Sequence, residues 1–172
     1  SDKSKWPYLT LKQDTTDLYK YESSDFFILN SSTPNGCDCN AENGCGITPE
    51  KNFRRCHLCE EGVKKNFHFC LHLKTAFKYS QDTSSDFSFR GDDDVWVFIN
   101  NKLAIDLGGI HSQMSKSIRL DSNNEAEYEL QTTNLNSLDV FFCERHTTAS
   151  NFKVTTGFDF INDRDVAHQV KI

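Results

Sequence analysis

Hydrophobic positions in this chain recur at every second residue, in short bursts. Phe67/Phe69, Phe77/Tyr79, Phe87/Phe89, Trp96/Phe98 and Phe158/Phe160 are such pairs. Leu138, Val140 and Phe142 alternate along one segment, and Phe152, Val154, Thr156 and Phe158 along another. A period of two lines one face of a β-strand. Val95 to Ile99 is an unbroken β-branched and aromatic run, which predicts a strand covered on both faces. Asn100-Asn101 follows, and Asn tolerates positive φ, so a two-residue hairpin turn is expected. The return strand then places Leu103, Ile105 and Leu107 on one face, with Ile99 opposite Lys102 and Val95 near Asp106. Helical periodicity is confined to single turns at Thr48–Lys51 and Glu60–Lys65. The expected fold is all-β, an antiparallel sandwich or barrel forming one domain over residues 1–172.

Three carboxylates, Asp92, Asp93 and Asp94, stand directly before that buried strand. Like charges so close repel, and more strongly where water is partly excluded. A cation would relieve them, and hard oxygen ligands favour calcium or magnesium. The competing reading is a solvated acidic turn. Hairpin pairing brings Gly108-Gly109-Ile110-His111 beside the cluster. Asp106 and His111 thereby become candidate outer contacts of an ion or ligand. For His111, a hydrogen-bonded structural role is the simpler reading.

Six of the seven cysteines crowd between Cys37 and Cys70: Cys37, Cys39, Cys45, Cys56, Cys59 and Cys70. Turn signals at Pro34-Asn35-Gly36, Asn43-Gly44 and Thr48-Pro49 accompany them. The segment at about 34–70 reads as a loop-rich excursion stapled by disulfides, and fifteen pairings are open to six cysteines. The rival is a zinc knuckle at Cys56-x-x-Cys59 with His57 nearby, but a second such pair is missing. Many disulfides imply an oxidising, extracellular or cell-surface setting. The Asn30-Ser31-Ser32 sequon, a glycosylation candidate, agrees with that. Cys143 stands apart beside Phe141 and Phe142, and is expected to be a buried, unpaired thiol.

Net charge is −6, from 25 acidic and 19 basic residues. That argues against nucleic-acid binding, which wants a basic face. No stretch approaches the ~20 apolar residues of a membrane span, so direct membrane insertion is not expected. Catalysis is not expected either. Adjacent aspartates on a strand point to opposite faces and cannot flank a sugar ring. Cys143 with His146 lacks the electropositive setting that a nucleophilic thiol needs. Without a leader sequence, the chain reads as a mature or excised segment.

The segment GDDDVWVFINNKLAIDLGGIHS resembles the signature of the fibro-slime domain, a branch of the protective-antigen fourteen-kilodalton domain superfamily. FKYSQDTSSDFSFRG upstream and FFCERHTTASNFKVTT near the C-terminus fit the same pattern, so the likeness runs from about Phe67 to Phe158. The wording also resembles the prespore-inducing-factor glycoproteins of social amoebae. The resemblance implies a β-sandwich or β-barrel of the protective-antigen type. In sugar-binding members such as yeast flocculin lectins, two aspartates joined by a cis peptide hold calcium, which meets vicinal sugar hydroxyls. That pattern places the pair at Asp92-Asp93, although Asp94 stands where many relatives have Gly and leaves Asp93-Asp94 as the alternative. Relatives complete the shell from a late loop, here Glu144 to Asn151, with Asn151 the matching ligand and Ser150 a further candidate. Glu144 and Arg145 are equally able to form a structural ion pair.

The implied function is calcium-dependent binding of a carbohydrate or cell-surface glycoprotein in adhesion or recognition. The Asp106–His111 turn and the cysteine-rich excursion would shape selectivity. Two other readings stand beside it: a protein–protein signalling domain with a structural acidic loop, and a non-catalytic domain of a larger secreted protein.

Overall fold

The computed structural model describes residues 9–16, 18–26, 69–82, 85–109, 111–145, 150–161 and, for the backbone alone, 169–171. The cysteines from Cys37 to Cys59, the Asn30 sequon and both expected helical turns lie outside these residues.

The described chain is built from strands β1 (Lys12–Gln13), β2 (Tyr19–Ser23), β3 (Phe69–Lys78), β4 (Ser85–Gly91), β5 (Asp94–Ile99), β6 (Lys102–Leu107), β7 (Met114–Leu120), β8 (Asn136–Glu144), β9 (Phe152–Thr156), β10 (Asp159–Phe160) and β11 (Gln169–Lys171). Two sheets form, ordered β1-β2-β9-β4-β7 and β10-β3-β8-β5-β6, with β11 paired to β3. Strand pairing within both is antiparallel. The all-β expectation holds, and no helix occurs among the described residues.

The period-two bursts on β4, β8 and β9 become inner faces. Leu138, Val140 and Phe142 of β8 meet Phe152 and Val154 of β9 and Phe87 and Phe89 of β4 in one cluster, all nearly inaccessible to water. Phe142 is its hub. Its ring lies 5.6 Å from Phe26, 6.1 Å from Phe69, 6.4 Å from Phe89 and 5.1 Å from Phe152, centre to centre. Edge-on and tilted packing of this kind suits the ring quadrupole.

The hairpin turn is as expected, with φ of 46° at Asn100 and 64° at Asn101 and Ile99 opposite Lys102. The return strand departs from simple alternation. Val97 faces Ile105 but Phe98 faces Leu103, so Ala104 is an extra residue, a β-bulge. The bulge turns Leu103 outward, where it is 48% exposed, and moves the partner of Val95 from Asp106 to Leu107. A one-residue insertion reverses facing in this way. The expectation that β5 is covered on both faces is corrected too. Val95, Val97 and Ile99 are fully buried, whereas Trp96 and Phe98 lie on the outer face, partly exposed.

Cys143 is not a free buried thiol. Because Phe142 points inward, Cys143 points outward, directly opposite Cys70 of β3. The two form a disulfide across 73 residues of sequence. The Phe141-Phe142 neighbourhood suggested burial, but alternation sends only one of those rings into the core.

Candidate functional site

Asp92 and Asp93 form the connection between β4 and β5, and Asp94 opens β5. All three are buried, with 7%, 0% and 5% of their surface exposed. The connection turns through Asp93 at φ 64°, a left-handed conformation that Asp adopts more readily than most residues. No peptide bond among the described residues is cis. The cis link implied for the pair is therefore absent, and the positive φ makes the turn instead.

The late loop is fastened to the pair at both ends. At its start, the Arg145 amide donates to Asp93 Oδ2 at 2.5 Å. At its end, the Asn151 amide donates to Asp92 Oδ1 at 2.5 Å and its side-chain Nδ2 to Asp92 Oδ2 at 2.8 Å. Gly91 makes the second fastening feasible, since a Cβ there would stand 2.4 Å from the Asn151 carbonyl oxygen. The site therefore depends on a glycine that no carboxylate pattern singles out.

Asp94 is held apart from the pair. Arg145 reaches its two oxygens at 2.8 and 2.7 Å, and the Gly109 amide donates to Oδ1. Gly109 has φ 121°, which suits a glycine. The hairpin does bring the double-glycine turn to the cluster. The ion pair of Arg145 is one that sequence reading missed, because it joins residues 51 apart.

The remaining candidates divide. His111 sits between two carbonyls, with Nε2 3.1 Å from Leu107 O and Nδ1 2.8 Å from Ser112 O. Both nitrogens can donate only in the imidazolium form. Burial pulls its pKa down, but these two carbonyls and the charges of Asp93 and Asp94 outweigh it and raise the pKa above the usual histidine value. Asp106 accepts from the Gly108 amide at 3.0 Å, closing its own turn. Ser150 is engaged by Phe26. It is fully buried, and its hydroxyl donates to the Phe26 carbonyl at 3.0 Å while Phe26 N donates back to Ser150 O. It thereby anchors Phe26, which stacks on Phe152 at 4.4 Å.

A model of the PA14 domain matches residues 59–162. The chain belongs to the PA14 domain family. Among curated relatives, Protein psiE of Dictyostelium discoideum is 39% identical over 153 residues, covering 88% of this chain and 26% of the relative. Protein psiB is 36% identical over 154 residues, covering 89% and 24%. Protein psiH is 50% identical over 94 residues, covering 53% and 12%. The chain thus spans about a quarter or less of each of these relatives. No solved structure matches. A PA14 domain is a carbohydrate-binding-like module. The fibro-slime and psi-type likeness expected from the signature segments agrees with both comparisons.

The donor set fits calcium on charge and chemistry. Three buried carboxylates gather here, with the Arg145 guanidinium on Asp94 and the charge of His111 nearby. Each oxygen of Asp92 keeps a second lone pair beyond the hydrogen bond it accepts from Asn151. Turning the Asn151 amide over would present its oxygen while the main-chain N–H kept Asp92. No group of three His, Cys, Asp or Glu gathers as a ready-made cage among the described residues, and a shell of two carboxylates, an amide and carbonyls would not form one.

Proposed function

We propose that this PA14 domain is a non-catalytic recognition module that holds calcium at Asp92 and Asp93 and offers it to the hydroxyls of a carbohydrate on a glycan or cell-surface glycoprotein. One observation carries the reading: three adjacent carboxylates, Asp92, Asp93 and Asp94, are buried together at the β4–β5 connection, with the Asn151 side chain 2.8 Å from Asp92. Arg145 engages both oxygens of Asp94, which favours Asp92-Asp93 over Asp93-Asp94 as the pair. Asn151 and carbonyls of its loop would complete the oxygen shell, since calcium takes six to eight oxygens. Calcium supplies a fixed positive centre for neutral hydroxyls. The protein supplies its position, through the loop fastened at Arg145 and Asn151. Adhesion through such single-ion contacts gains strength when several copies act together.

A glycan array read with calcium and again with EDTA tests this. Glycans that are bound with calcium, released in EDTA and lost in Asp93→Asn support it. A melting curve indifferent to calcium, with no glycan bound in either condition, rejects it. The rival reading is a protein-recognition domain with a structural acidic loop. It draws on the hydrogen bonds that already occupy both oxygens of Asp92 and Asp94, and that result would favour it.

A further inference from the structure

The two outer faces of the sandwich differ sharply. The β4–β7 face carries paired polar groups, Asp86 with Arg119 at 2.8 Å and Ser88 with Ser117 at 3.2 Å. The outer face of the six-stranded sheet carries rings. Trp96 stands across from Phe141, which stands across from His72. In the next row Phe98 stands between Leu103 and Asp139. Phe98 and Phe141 meet edge to face at 5.8 Å, and His72 stacks on Phe141 at 4.2 Å. Phe141 is 37% exposed and Leu103 48%. Grouped apolar side chains left in water mark a contact surface.

Asp139 says what kind of contact. It is only 6% exposed. Its Oδ1 lies 2.7 Å from His72 Nε2 and 3.6 Å from Lys74 Nζ. Its Oδ2 is buried with no hydrogen-bond partner, a costly state for a carboxylate oxygen. Lys74 already answers the charge and His72 lies within hydrogen-bond distance of Oδ1, so what Oδ2 lacks is a donor rather than a counter-ion. A cationic ligand would meet Lys74 as a like charge. A purely apolar ligand would cover the rings and leave Oδ2 unanswered. A pyranose has both parts, an apolar C–H face for the rings and hydroxyl donors at its rim. Lys74, the neighbour of Asp139 on β3, has a side chain 60% exposed and able to swing aside.

We propose that the outer face of the six-stranded sheet, with Trp96, Phe98, Phe141 and Asp139, is a second carbohydrate-binding surface that works without metal. It is separate from the acidic connection and does not rest on calcium.

The test is an array of neutral oligosaccharides probed throughout in EDTA, with parent, Phe141→Ser and Asp139→Asn proteins of verified melting temperature. Phe141 is exposed enough that its replacement leaves the core intact, should Asp139→Asn fold poorly. The expected result is a glycan signal in the parent that drops at least tenfold in Phe141→Ser, with a tryptophan fluorescence change on saturation that Trp96→Phe removes. No glycan retained in EDTA, or equal retention by the parent and Phe141→Ser, overturns the proposal. Because calcium is absent from every arm, these outcomes are independent of those for the acidic site.

Discussion

Asp93→Asn separates a carboxylate kept for an ion from one kept for the fold. Asp93 is fully buried, and its neighbours on both sides are carboxylates. At an effective dielectric of about 20, two unit charges about 5 Å apart interact by roughly 3 kcal/mol. Arg145 and the loop amides offset part of this, so neutralising Asp93 should relieve on the order of 1–3 kcal/mol when no ion is present. Asn keeps an oxygen for the Arg145 amide and tolerates φ 64°. For a chain of this size 1 kcal/mol moves the melting temperature by about 2–4 °C. The variant should therefore melt about 2–12 °C above the parent in EDTA. Calcium at about a hundredfold over its dissociation constant should stabilise the parent by about 2.7 kcal/mol, and the variant hardly at all. Differential scanning fluorimetry in EDTA and in calcium reads both. A variant that melts below its parent in EDTA and shows an undiminished calcium shift would refute the reasoning, because the carboxylate would then be structural.

Phe142→Ala removes the ring shared by four others and should cost about 3–5 kcal/mol in urea unfolding; a loss under 1 kcal/mol would mean the core is not centred there. His111→Gln tests the imidazolium. Its folded pKa is raised, so the stability it gives is complete below the unfolded value near 6.5 and fades as pH climbs through the folded value. The parent's advantage over the variant should therefore shrink between mildly acidic and alkaline pH, and a constant difference across that range would contradict the charge assignment. Replacing both Cys70 and Cys143 by Ala opens a link across 73 residues; chain entropy sets its worth at up to about 4 kcal/mol, and an unchanged denaturation midpoint would show that pairing of β3 with β8 suffices alone.

Where the sequence carried a local period, the structure follows it. Leu138-x-Val140-x-Phe142 and Phe152-x-Val154 went inward, and Asn100-Asn101 made the turn. What alternation alone could not reveal is the bulge at Ala104, which no residue type announces and which sends Leu103 outward. The Cys70–Cys143 bond was hidden because composition grouped Cys70 with its sequence neighbours, whereas strand register paired it across the sheet. Of the site, the acidic run and Asn151 were legible from spacing and resemblance. The hold of Arg145 on Asp94 and the close approach of Asn151 to Gly91 were not, because both depend on how distant strands meet.

The most direct measurement is a crystal structure grown in calcium. The account predicts an ion with oxygens of Asp92, Asp93 and Asn151 at about 2.3–2.6 Å, and Arg145 still on Asp94. Crystals that show the Asn151 amide nitrogen remaining on Asp92, and no ion beside Asp93, would contradict it.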